Sequence, residues 1–121
     1  MTQGVKYSSV LQDFAAPLFA GNENREELMA KFKVAELVWN HAIAEEFELP
    51  IFTVLDQAIQ ESNKHHPDME AVFSFLKASK KSDFKVYKNF IVTVEYRLKP
   101  DGSASLLVES VEPDKVKNLS L

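Results

Sequence analysis

His41 and Glu45 stand four residues apart within "WNHAIAEE", residues 39–46, and Glu61 and His65 repeat that spacing with His66 and Asp68 beside them. Residues four apart share one face of a helix. Two such pairs facing each other would offer two imidazoles and two carboxylates, a ligand set that zinc or iron accepts. The pattern departs from the known signatures, however. Di-iron bundles use Glu-x-x-His with further glutamates from the other helices, and the H-E-x-x-H of zinc proteases is absent. A plainer reading is available. Val34, Val38, His41 and Glu45 form one side strip of a helix that grades from apolar to polar, and His65–His66 close a helix before Pro67.

A second chemistry is suggested by "KASKKSDFKVYKNF", residues 77–90, where Lys80, Lys81, Lys85 and Lys88 interleave with Phe84, Tyr87 and Phe90. Lysines along a strand with aromatic rings are what single-stranded nucleic-acid surfaces use. Residues 77–99 hold seven bases and two acids, hence +5, while the whole chain is −4, so the remainder carries −9. That acidic remainder makes nucleic acid a disfavoured partner. A lysine-lined strand also serves to protect a sheet edge.

Other chemistries have no foothold. The 121 residues include no cysteine, which removes disulfides, thiolate metal sites and thiol nucleophiles. No G-x-S-x-G is present, and three glycines cannot build a phosphate-cradling loop. No cofactor is implied, and the chain is read as non-enzymatic. Lys6 is followed by Gln12 and Asp13 and not by an unbroken apolar run, so no leader peptide is expected. No stretch approaches the roughly 18 apolar residues of a membrane span. The expectation is a soluble cytoplasmic protein with no membrane partner.

The elements that must position these residues are legible in the periodicities. Tyr7, Val10, Leu11, Phe14 and Leu18 form a helical stripe, with Ser9 as its cap and Pro17 at its end. Asn24 with Glu27 three residues later forms a capping-box pattern, which predicts a long helix over 25–48. Its face holds Leu28, Phe32, Ala35, Trp39 and Ala42, and "VAELVW" is apolar on more than one side, as in a central helix. Pro50 suits the first turn of a third helix carrying Ile51, Leu55, Ala58 and Ile59. A fourth starts near Asp68 with Met69, Val72, Phe73 and Leu76 and ends in lysines.

The period then changes to two. Phe84, Val86, Phe90, Val92, Val94, Tyr96 and Leu98 share one parity, predicting a strand from 84 to 98. "KPDGS" predicts a tight turn pairing Lys99 with Ser103. Counting back pairs Tyr96 with Leu106, Val94 with Val108 and Val92 with Ser110 on the apolar face. The other face pairs Glu95 with Leu107, Thr93 with Glu109 and Ile91 with Val111.

The sum is an α+β domain over residues 1–112: about four helices packed on one face of a long antiparallel hairpin, followed by a flexible tail over 113–121. Tyr87, Ile91, Leu107 and Val111 are left on the hairpin's second face, and a second subunit is a common way to cover such residues.

"AELVWNHAI", followed by "YKNFIVTVEYRLKPDGSASLLVESV", resembles a family of small bacterial proteins of unknown function with a Trp-Asn helix and a C-terminal hairpin. The resemblance covers about residues 25–112 and implies no activity and no functional residue. The leading expectation is therefore a small protein acting through protein–protein contacts as a homodimer. A nucleic-acid-associated accessory protein using the basic segment 77–99 is the alternative, and a metal-dependent enzyme built on His41, Glu45, Glu61 and His65 comes third.

Overall fold

A computed structural model describes residues 6–98, 100–101 and 104–116. The architecture is α+β, and its centre is a single long helix. In chain order the described residues form α1 (Tyr7–Ala15), a 3-10 turn (Ala16–Leu18), α2 (Arg25–Glu46), α3 (Phe52–His65), α4 (Met69–Lys81), β1 (Phe90–Leu98), β2 (Ala104–Val111) and α5 (Pro113–Val116).

α2 begins where the capping box requires. The Asn24 side chain accepts from the Glu27 amide at 2.9 Å, and the Glu27 carboxylate accepts from the Asn24 amide at 3.2 Å. It stops two residues earlier than its periodicity suggests. Glu48 takes φ +52°, the Leu49 amide donates to the Ala44 carbonyl at 2.9 Å and the Glu48 amide to the Glu45 carbonyl at 3.4 Å. These are the two hydrogen bonds of a Schellman stop, made here without glycine. Leu49 is buried just beyond it. α2 touches α1, α3, α4 and β1, which is why it is apolar on several sides. Phe32, Ala35, Val38, Trp39 and Ile43 lie in the core. The Trp39 ring packs edge-on against Phe14 and Tyr7, with centroids 5.2 and 6.1 Å away. α1 starts after Lys6, not behind a Ser9 cap: Ser9 is inside the helix, and its amide donates to the Lys6 carbonyl. α3 starts at Phe52, two residues past Pro50, and contributes no buried residue.

The strand is shorter than the alternation suggests. Residues 82–86 form successive turns, and pairing begins only at Phe90. The Phe84 amide donates back to the Ser79 carbonyl and the Tyr87 amide to the Phe84 carbonyl, both at 3.2 Å. Tertiary contacts override the period here. The Phe84 ring turns inward onto Phe14, and the Lys80 ammonium donates to the Phe84 and Tyr87 carbonyls at 3.0 and 2.9 Å.

β1 and β2 pair antiparallel. Leu98↔Ala104, Tyr96↔Leu106, Val94↔Val108, Glu95↔Leu107 and Thr93↔Glu109 follow the expected register. A bulge between Ile91 and Thr93 then shifts it, so that Ile91 faces Ser110 and Phe90 faces Val111. The cause is on α2. The Asn40 side chain donates to the Ile91 carbonyl and accepts from the Ile91 amide, each at 2.8 Å. Asn40 thereby acts as a one-residue strand on the open edge of β1, and the extra residue, Val92, is left outside. The turn expected between Lys99 and Ser103 falls on residues outside those described, although Pro100 and Asp101 are in a turn. Residues 113–116, expected to begin a loose tail, form α5, and Val116 is in the core. Residues 117–121 lie outside the described part.

Candidate anion-binding cleft

The C-terminal halves of α2 and α4 lie side by side, and the chain leaving α4 turns back across them. Between them is a cleft of about 430 Å³ lined by Ala42, Glu45, Glu46, Lys80, Lys81, Lys85 and Lys88. All four lysines marked in the sequence therefore meet in one place. Lys80 and Lys81 reach it from the last turn of α4, and the turns at 82–86 bring Lys85 to it and carry Lys88 back to Glu46 on α2.

The lysines are not equivalent. Lys80 is only 2% exposed. Its ammonium sits 4.5 Å from the centroid of the Trp39 ring and spends two donors on the Phe84 and Tyr87 carbonyls. Burial lowers its pKa to about 8, against the pull of Glu46 in the opposite direction and helped by the Lys88 charge. Lys80 is the floor of the cleft and holds the turn; it has little to offer a ligand. Lys81 pairs with Glu45 at 3.0 Å and Lys88 with Glu46 at 2.6 Å. Lys77, just outside, also reaches Glu45 at 3.1 Å. The bond from Lys81 is the main cause that holds the Glu45 carboxyl below its ordinary pKa, with Lys77 adding to it. Lys85 is exposed and makes no ion pair among the described residues. Four lysines against two glutamates leave the lining at +2. Its ion pairs are surface pairs, individually weak and open to exchange for a stronger anion.

The aromatic residues of the segment do not join them. Phe84 and Tyr87 pack on Trp39, Phe14 and Tyr7, and Phe90 is buried. The alternation of lysine and ring is real in the sequence, but the rings point into the core and leave no stacking platform in the cleft.

The metal candidates are kept apart. The His41 Nε2 is 3.0 Å from Asp56, on α3, and the His41 ring lies against Phe52. Glu45 belongs to the lysines. Glu61 and His65 pair with each other at 3.4 Å on the exposed side of α3. Among the described residues no group of three or more His, Cys, Asp or Glu is arranged to hold a metal ion.

The residues expected on an open hairpin face are also dispersed. Ile91 is 1% exposed, turned inward by the bulge. Tyr87 and Val111 are half-buried and pack on the core. Only Leu107 is exposed. Residues that sequence reasoning passed over include Asn40, whose side chain serves a neighbouring strand, and Asp56, the partner of His41. A polar residue flanked by Trp39 and His41 inside an otherwise apolar stretch was the available signal for Asn40; nothing local marks Asp56.

No family model, no curated protein and no solved structure matches the chain. Among the described residues no helix is long and apolar enough to cross a membrane.

Proposed function

We propose that the protein is a small binding protein whose lysine-lined cleft holds the phosphates of a polyanionic partner, a single-stranded nucleic-acid backbone. The observation that carries this reading is the convergence of Lys81, Lys85 and Lys88 on one concavity, over a buried Lys80, in a chain that is otherwise acidic. The inward-turned rings argue for recognition of the backbone and not of the bases. Binding is then electrostatic and indifferent to sequence. Glu45 and Glu46 hold the lysines in place when the cleft is empty and give way to a strand that presents several phosphates at once, with the release of its condensed counterions.

Fluorescence anisotropy of a labelled single-stranded oligonucleotide, read across a salt series, tests the reading. Three phosphates neutralised on a single strand predict a slope of log K against log salt near −2, from roughly −0.7 per phosphate. Lys85→Glu, at an exposed position, is expected to reduce the slope by about 0.7 and weaken binding to all sequences alike. Binding that ignores salt, or a Lys85→Glu variant that binds as well as the parent, would sink the proposal.

A further inference from the structure

A second concavity lies where α2, α3 and α4 meet. It holds about 140 Å³ and is lined by Val38, His41, Ile59, Asn63, Glu70, Phe73, Ser74 and Lys77. At about 30 Å³ per water this is the volume of four or five waters, or of a molecule with a handful of heavy atoms. Its composition is graded. Val38 and Phe73 are buried and form an apolar floor beside Ile59, while Glu70 and Ser74 are exposed at the mouth.

Two of the residues lining it carry the only buried side-chain polar atoms without a hydrogen-bond partner among the described residues: His41 Nδ1 and Asn63 Oδ1. Buried polar groups are nearly always satisfied, and one left without a partner keeps the cost of having been taken out of water. The character of the His41 atom follows from the other ring nitrogen. Asp56 Oδ1 lies 3.0 Å from Nε2, and an ionised carboxylate only accepts. Nε2 therefore carries the proton, and in the neutral ring Nδ1 presents a lone pair. Asp56 is itself fixed by Gln60 at 2.6 Å, and Phe52 lies against the imidazole, with ring centroids 4.8 Å apart. The ring is thus held from two sides with its accepting edge unused. His41 is 5% exposed.

The unmet demand is all of one kind. His41 Nδ1 accepts, Asn63 Oδ1 accepts, and the Glu70 carboxylate at the rim accepts. Lys77, the one cation in the lining, is taken by Glu45 at 3.1 Å. We infer that this concavity is a binding site for a small primary ammonium compound with a short alkyl body, its nitrogen donating to His41 Nδ1 and Asn63 Oδ1 and its alkyl part lying on Val38, Ile59 and Phe73. Glu70 supplies the favourable charge at the entrance. α3 forms one wall, through Ile59 and Asn63. The site is separate from the lysine cleft and does not depend on the reading given to it.

The test is an NMR titration of the full chain, labelled with ¹⁵N, with butylammonium chloride at mildly alkaline pH. Saturable shifts are expected in the His41 ring nitrogens, Nδ1 moving most, and in the Asn63 side-chain amide. Butyrate, equal in length and opposite in charge, is expected to leave them unmoved. Asn63→Leu keeps the size of a half-buried side chain and removes the acceptor; it should weaken butylammonium at least tenfold while the rest of the spectrum persists. His41→Phe should abolish binding, and the Asn63→Leu result stands on its own if that variant does not fold. Non-saturating shifts, equal responses to butyrate and butylammonium, or an Asn63→Leu variant that binds normally would each overturn the inference.

Discussion

Single side chains decide two features of this protein. Asn40 satisfies both the amide and the carbonyl of Ile91 in a buried setting. Its loss leaves one donor and one acceptor without partners. Asn40→Ala is therefore expected to cost about 3 kcal/mol, read as a lower urea midpoint at unchanged m-value. A cost below half of that would mean that water or the hairpin takes over the bonds. Lys80 acts through its charge. Its pKa is lowered from 10.5 to about 8, so from about pH 8 upward the unfolded chain binds more protons than the native one. Stability then rises with pH in that window, because the native state sheds the buried charge first. The rise ends as the tyrosines titrate: burial raises the Tyr7 pKa above its ordinary 10.0, which favours the unfolded, ionised phenol and reverses the slope. Denaturation midpoints between pH 8 and 10 should climb for the parent and stay flat for Lys80→Met.

At the level of elements, α2 is the part on which the others depend. It carries the core tryptophan, the clamp on β1 and one wall of the lysine cleft. Its start is specified by the reciprocal Asn24–Glu27 box, reinforced from outside by Glu23. That carboxylate accepts from the Ala20 and Gly21 amides and from Lys31, and the Lys31 bond is the largest cause lowering its pKa to about 2. Asn24→Ala is expected to destabilise by about 1 kcal/mol, with helix content almost unchanged by circular dichroism, since packing and not the cap holds the rest of α2. A loss of several kcal/mol would mean that the entry of the chain into α2 also fixes α1. The hairpin shows the reverse dependence. A two-stranded ribbon is marginal by itself, and here it is tied to α2 through Asn40 and Trp39, while the half-buried Val94, Leu106 and Val108 pack on the core.

For the whole molecule, the question is what the outer side of the hairpin meets. It presents Thr93, Glu95, Arg97 and Glu109 around Leu107. Glu95 and Arg97 already pair at 2.6 Å. Two copies laid face to face would take these charges out of water around one leucine from each, a poor exchange. Light scattering over a dilution series is expected to give the mass of one chain. A stable dimer would support the self-association reading and direct attention to Leu107 and Val92. The charge of the molecule is its other global property: a basic strip of +5 within a chain of −4 steers anions towards one side.

Much of this was legible in the chain by itself. The helical stripes, the capping box and the period-two segment determined an α+β domain with a C-terminal hairpin, because local propensity and hydrophobic period depend on neighbours in sequence. The lysines of the cleft were also visible, since all four come from one short segment. Tertiary structure decided the rest. Residues 84–89 read as part of the strand, yet Lys80 and the aromatic core hold 84–86 in turns, and pairing begins only at Phe90. The bulge that buries Ile91 comes from Asn40, fifty-one residues away in the chain. His41 meets Asp56 and leaves Glu45 to the lysines. In each case a buried polar group had to find a partner, and which partner lay within reach was determined by how the helices pack, a property that no local pattern encodes.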